Sequence, residues 1–139
     1  MSMKKRIIIA DDDPGIQDIF RIIFEKAGYM ATIFSNGMNI LKNNYELPDI
    51  FLLDKQLADS DGLEICRYLK SRPETKFIPV IMISATPGIR QLAKEAGADD
   101  FLEKPFIMTQ LFNKITEALE KASLVSALKK AIKNSLKLK

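Results

Sequence analysis

The chain has 139 residues, 47% of them hydrophobic and 28% charged, a balance that suits one globular domain around a single sizeable core. It holds no histidine and one cysteine, Cys66, which excludes an internal disulfide, histidine or cysteine metal clusters, and every nucleophile scheme that needs a histidine base. The net charge of +3 is uneven: residues 120–139 carry six lysines against one glutamate (+5) and the rest carries 15 basic against 17 acidic residues (−2), so the basic balance argues for no nucleic-acid binding by the body of the chain.

In chain order, Met1-Ser2-Met3-Lys4-Lys5-Arg6 leads straight into a strand-like run, without the length or cleavage site of a signal peptide. No apolar run approaches the ~18 residues of a membrane span, and a cytoplasmic protein is expected. Arg6–Ala10 reads as the first strand. Its unbroken Ile7-Ile8-Ile9 suits a parallel strand covered on both faces. Asp13 before Pro14 is the pattern of a helix N-cap followed by proline at the first helical position. The stripe Ile16, Ile19, Phe20, Ile23 and Ala27 predicts a helix that Gly28 ends.

Tyr29–Phe34 reads as the second strand, and a weaker helical segment follows from about Asn36 to Asn44. Ile50–Leu53 is a second continuous apolar run and the third strand. Leu63, Cys66 and Leu69 mark a third helix after Gly62, with Cys66 on its apolar side as a buried structural thiol. Val80–Ile83 is the fourth strand; Ile89, Leu92, Ala93 and Ala96 mark the fourth helix, closed by Gly97. Asp100–Lys104 is the fifth strand, and Leu111, Phe112, Ile115, Ala118, Leu119 and Ala122 mark the fifth helix. Five strands alternating with five helices predict an open α/β sandwich with right-handed crossovers.

Helical spacing persists to the end of the chain. Leu124, Val125, Leu128, Ala131, Ile132 and Leu136 fall on one arc, and Lys129, Lys130, Lys133 and Lys137 fall opposite. Three readings stay open for this tail: continuation of the fifth helix, pairing with another chain, or contact with an anionic membrane or acidic partner.

In open α/β sheets ligands bind beyond the carboxyl ends of the strands. There the first strand delivers Asp11-Asp12-Asp13, the third Asp54, the fourth Ser84-Ala85 and the fifth Lys104-Pro105. Each residue alone has a plain structural role: a cap, a turn, a satisfied hydroxyl, a solvated charge. Their convergence at one edge is specific, because four strands must each place the right group at the same end. Clustered carboxylates repel unless a cation intervenes, and an oxygen-only donor set without histidine favours Mg²⁺. A carboxylate can accept a phosphoryl group as an acyl-phosphate, with a metal, a lysine and a hydroxyl neutralising its oxygens.

The segments IIIADDDP, FLLDKQLADSDGLEICRYLK, IPVIMISA and GADDFLEKPF together resemble the receiver domains of bacterial two-component response regulators, the CheY-like family, over residues 4 to about 122. The resemblance implies a flavodoxin-like (βα)5 doubly wound fold with a five-stranded parallel sheet in the order 2-1-3-4-5. It implies Asp54 as phosphoacceptor, Asp11 and Asp12 as the acidic pair holding Mg²⁺ together with Asp54 and the backbone carbonyl of Gln56, Ser84 and Lys104 as the phosphoryl-binding hydroxyl and ammonium, and Ser84 with Phe101 as the switch pair. It also implies a cis Lys104–Pro105 bond. Residues 4–122 would then be the receiver and 123–139 a basic amphipathic C-terminal extension. The chain departs from the family at Ala58, where proline is usual, and at Thr86-Pro87-Gly88, which opens the fourth helix in a slightly shortened stretch.

The implied function is a single-domain, phosphorylation-driven switch rather than a turnover enzyme. Its donor would be a separate histidine kinase or histidine phosphotransfer protein. Its output would pass to a downstream protein or a second copy through the fourth helix, fifth strand and fifth helix. Two alternatives remain at this point. An aspartate-nucleophile phosphohydrolase also uses an Asp after a strand, Mg²⁺ and a lysine, and Asp11-Asp12-Asp13 partly imitates its motif; the chain is short for the substrate cap of such enzymes. An unphosphorylated receiver-like scaffold would have no need of the full acidic, hydroxyl and lysine set.

Overall fold

The computed structural model describes residues 4–137; the first three residues of the N-terminal run and the last two of the basic tail lie outside it. Strands and helices alternate as β1 (Arg6–Ala10), α1 (Pro14–Lys26), β2 (Met30–Phe34), α2 (Met38–Leu41), β3 (Ile50–Asp54), α3 (Gly62–Ser71), β4 (Val80–Ser84), α4 (Ile89–Glu95), β5 (Asp100–Glu103) and α5 (Met108–Lys137). The strands form one sheet in the order β2-β1-β3-β4-β5, and every pairing is parallel.

Side chains of a strand alternate between faces, so an unbroken apolar run serves two layers at once. Ile8, Ala10, Phe51, Leu53, Val80 and Met82 point to one side, where α2, α3 and α4 cover them with Ile40, Ile65, Cys66, Leu69 and Ala93. Ile7, Ile9, Ile50, Leu52, Ile81 and Ile83 point to the other, against Phe20 and Phe24 of α1 and Leu111 and Ile115 of α5. Each side chain wholly withdrawn from water in these layers contributes about 1.5–3 kcal/mol. The two layers hold β1, β3 and β4 rigidly, and the ends of those strands define the site.

Local chemistry sets the element ends. The Asp13 carboxylate accepts hydrogen bonds from the N–H groups of Gly15 (2.8 Å) and Ile16 (3.3 Å), and Pro14 opens α1. Gly28 and Gly97, at φ +90° and +87°, take the left-handed conformation just past α1 and α4. The Lys104–Pro105 peptide is cis, as expected. Cys66 is wholly buried.

Two segments differ from the sequence reading. The helix expected over Asn36 to Asn44 is a single turn, Met38–Leu41. Asparagine competes with helix at both ends: the Asn36 side chain accepts from the Met38 N–H, and Asn43 adopts a positive φ of 59°. The fifth helix, by contrast, continues without a break to Lys137.

Candidate functional site

β1 and β3 are neighbours in the sheet, as are β3 and β4, and β4 and β5. Their carboxyl ends therefore bring Asp11, Asp54, Ser84 and Lys104 together, although Asp54 and Lys104 are 50 residues apart in sequence. Asp54 ends β3 opposite Ile83, and Lys55 N–H bonds to the Ile83 carbonyl at 2.9 Å. The Asp54 carboxylate is buried at the floor of the site. Its Oδ1 accepts from the Gln56 N–H (3.0 Å) and its Oδ2 lies 2.5 Å from Lys104 Nζ. Lys104 is set in place by its own N–H, which donates to the Ser84 carbonyl at 2.9 Å. The carboxylates raise the proton affinity of its ammonium more than burial lowers it.

Asp11 lies on the other side of the lysine, with Oδ2 3.8 Å from Nζ. It is 2% exposed, and that Oδ2 has no hydrogen-bond partner. Its Oδ1 accepts from the Asp13 N–H at 2.9 Å. Burial pushes the Asp11 carboxyl up to about 6; the Asp13 N–H and Lys104 pull it down, and neighbouring Asp54 adds to the rise. Asp12 is exposed and makes no side-chain hydrogen bond or ion pair among the described residues. The neighbouring aspartates thus differ in kind: one buried with an orphaned oxygen, one open to solvent, one used as a helix cap.

Ser84 is buried, and its Oγ accepts from the Thr86 N–H at 2.8 Å. Phe101 is half-buried against the α2–α4 layer. Its ring lies between the Arg90 guanidinium of α4 (5.7 Å) and the Lys114 ammonium of α5 (5.4 Å). The sequence reading did not single out those two cations, because nothing along the chain links them to Phe101.

Along the sequence Gly62 marks only a helix boundary. A Cβ there would sit 2.0 Å from the Asp54 carbonyl oxygen and 2.9 Å from its carbon, so the first turn of α3 rests directly on the acceptor's backbone. Asp61 caps that turn through Leu63 N–H and pairs with Lys55 at 3.1 Å. Asp59 ties the same loop to the Gly37 N–H at 3.0 Å, which holds its own carboxyl below the usual range. The signal for this architecture was the Asp61-Gly62 pair, a turn dipeptide by composition.

Among the described residues no three carboxylate or cysteine side chains converge as a ready-made metal cage. The unpartnered Asp11 oxygen beside Asp54 is nonetheless a placed, oxygen-only donor that a hard divalent cation would satisfy, with a backbone carbonyl completing the set.

A doubly wound parallel sheet whose strand ends gather buried Asp11 and Asp54 beside a lysine followed by a cis-proline has the architecture of a receiver-type α/β domain. The family model of the response regulator receiver domain matches residues 7–116, and the chain belongs to that family. It is 34% identical over 119 residues to the DNA-binding dual master transcriptional regulator RpaA of Synechocystis sp., covering 84% of this chain and 49% of that protein. It is 32% identical over 135 residues to the alkaline phosphatase synthesis transcriptional regulatory protein PhoP of Bacillus subtilis, covering 95% and 55%. The chain thus spans about half the length of these curated relatives. A CheY-like receiver domain protein from Methanospirillum hungatei superposes with a TM-score of 0.79 at 29% identity, covering 87% of this chain and 98% of that one. The flavodoxin-like fold and the two-component signalling family are therefore as the sequence reading expected.

Proposed function

We propose that residues 4–122 act as a phosphorylation-driven switch with Asp54 as the phosphoacceptor. One observation carries this: Asp54 is the buried strand-end carboxylate held by Lys104, with the orphaned oxygen of Asp11 alongside. The phosphoryl donor in this reading is a phosphohistidine, supplied by a histidine kinase or a histidine phosphotransfer protein, since residues 1–139 hold no histidine of their own.

In the transfer, an Asp54 carboxylate oxygen attacks phosphorus, the P–N bond to the donor imidazole breaks, and the leaving nitrogen takes up a proton. Hydrolysis of the resulting acyl-phosphate by water restores Asp54. Mg²⁺ held by Asp11, Asp12, Asp54 and the backbone carbonyl of Gln56 would supply neutralising charge to the phosphoryl oxygens. Lys104 exchanges its bond to the Asp54 carboxylate for one to a phosphoryl oxygen, a charge-assisted contact. Ser84, drawn toward the same group, gives up its bond to Thr86 N–H, and Phe101 leaves its place beside Arg90 and Lys114 to fill the space vacated. That ring lies on the surface of α4, β5 and α5, through which a downstream protein or a second copy reads the state. The domain catalyses only its own phosphoryl transfer and dephosphorylation, works in the cytoplasm, and makes no direct nucleic-acid contact.

The phosphohydrolase alternative is disfavoured by the same geometry. Of the carboxylates that follow β1, Asp11 is buried, Asp12 is solvated and Asp13 caps a helix, and the lysine lies closer to Asp54 than to Asp11. Incubation with acetyl phosphate and Mg²⁺ should add one hydroxylamine-labile phosphoryl group at Asp54, read by mass spectrometry. Equal labelling of Asp54→Asn at another residue would overturn the assignment.

A further inference from the structure

The last part of α5 meets its own domain at one place, where the Lys129 ammonium lies 3.0 Å from the centroid of the Phe77 ring and Val125 lines a cleft beside Phe77 and Pro79; the rest of it projects into solvent. Every residue from 123 to 137 is exposed. Leu124, Val125, Leu128, Ile132 and Leu136 are between 44% and 67% exposed, a large apolar area to leave in water. At about 100° per residue, this stripe is turned by roughly 80° from the direction in which Leu111, Ile115 and Ala118 enter the core. The tail therefore does not merely prolong the core-facing side of the helix. Its stripe looks toward the side that carries Lys114, the β5 side of the domain.

The charge on this segment is one-sided. Lys129, Lys130, Lys133 and Lys137 lie around the flank and back of the stripe, and no acidic residue occurs from Lys121 to Lys137. A second copy fits this poorly. Val125, Leu128 and Ile132 keep the 3–4 spacing of a two-helix seam, but Lys121 and Ser135 occupy the next positions of that seam, and the other register, Ala118, Ala122, Val125, Ile132 and Leu136, places Lys129 in its middle. That is short of the three to four heptads a coiled coil needs, and pairing would set eight lysines together without a counter-charge. An apolar stripe backed by lysines is the pattern of a helix lying in the plane of an anionic bilayer surface. No described helix is long and apolar enough to cross a membrane.

We infer that residues 123–137 dock this domain on anionic lipid, with the aliphatic stripe in the acyl boundary and the lysines among the headgroups. The test uses the 139-residue chain with sedimenting vesicles of phosphatidylglycerol or of phosphatidylcholine. Binding to phosphatidylglycerol alone is expected, weakening as salt rises. Lys129→Gln/Lys130→Gln/Lys133→Gln should lower the partition constant on the order of a hundredfold. The charge-neutral pair Leu128→Gln/Ile132→Gln should lower it at least about tenfold. All substituted positions are exposed, so thermal melts should match wild type. The inference is overturned if phosphatidylglycerol vesicles bind no more protein than phosphatidylcholine vesicles. It is overturned equally if the Leu128→Gln/Ile132→Gln variant binds as wild type does, which would mean diffuse charge attraction only. A wild-type dimer in light scattering that the same pair dissociates, with no vesicle binding, assigns the stripe to a second copy instead.

Discussion

Replacing Asp11 by asparagine should stabilise the protein in the absence of divalent metal, by an amount that depends on pH. The side chain is 2% exposed, and one of its oxygens has no hydrogen-bond partner and only a 3.8 Å approach from the Lys104 ammonium, so its ionised form is held in the folded state at a cost. The carboxyl stands at about 6 in the folded protein against an ordinary value of 3.8. That difference corresponds to about 3 kcal/mol between the two protonation states. Because the folded value is the higher one, the protonated acid is compatible with full stability below about pH 4. Stability then falls as pH rises through 6, and the whole cost is present above about pH 7. Asparagine keeps an oxygen to accept the Asp13 N–H and carries no charge. With chelator present, urea unfolding should give nearly equal stabilities near pH 4. Near pH 7.5 the variant should be more stable by up to about 3 kcal/mol, a rise in Tm on the order of 10 °C. Millimolar Mg²⁺ should narrow the gap at pH 7.5 by stabilising only the wild type. Equal stability at both pH values, or a variant weaker at pH 7.5, would refute the claim that Asp11 is an unsatisfied buried charge.

Gly62→Ala should both destabilise the fold and impair Asp54, because the new methyl group meets backbone atoms that cannot swing aside. A loss of about 1–3 kcal/mol in urea unfolding is expected, with at least about tenfold slower labelling by acetyl phosphate when the acceptor moves by a fraction of an ångström; wild-type labelling rates would show that the contact is not part of the site. Lys104→Ala should still accept phosphate slowly but leave the Phe101 environment unchanged on phosphorylation, as read by amide exchange over α4 and β5. Wild-type exchange changes in the phosphorylated variant would remove the lysine from signal transmission. The Cys66 thiol, wholly buried and pushed up by that burial to about 11, should resist alkylation in the native state and react only on unfolding; rapid native labelling would contradict its place in the core.

Much of this protein is legible in its sequence because it is set by short-range physics. Ile7-Ile8-Ile9 and Ile50-Phe51-Leu52-Leu53 declare strands buried on both faces, whatever packs on them. Asp13-Pro14 and the glycines at 28 and 97 mark helix ends through their own backbone preferences. The chemical inventory of the site, carboxylates with one lysine and one hydroxyl and no histidine, also follows from composition and from strand ends.

Tertiary structure decided what depends on neighbours distant in the chain. Asp11 and Asp12 are identical in sequence terms, yet only packing made one a buried acid and the other a solvated one. The length of α2 was settled by competition between weak helical spacing and asparagine side chains that bond to backbone. The clasp of Asp54 by Lys104 joins groups 50 residues apart, and the contact of Gly62 with the acceptor's carbonyl exists only once α3 folds back on β3. The tail's arc of aliphatics was visible in sequence, but its direction relative to the core needed the packed half of α5 as reference. Propensity acts over a few residues, whereas burial and Coulombic energy depend on which surfaces finally meet.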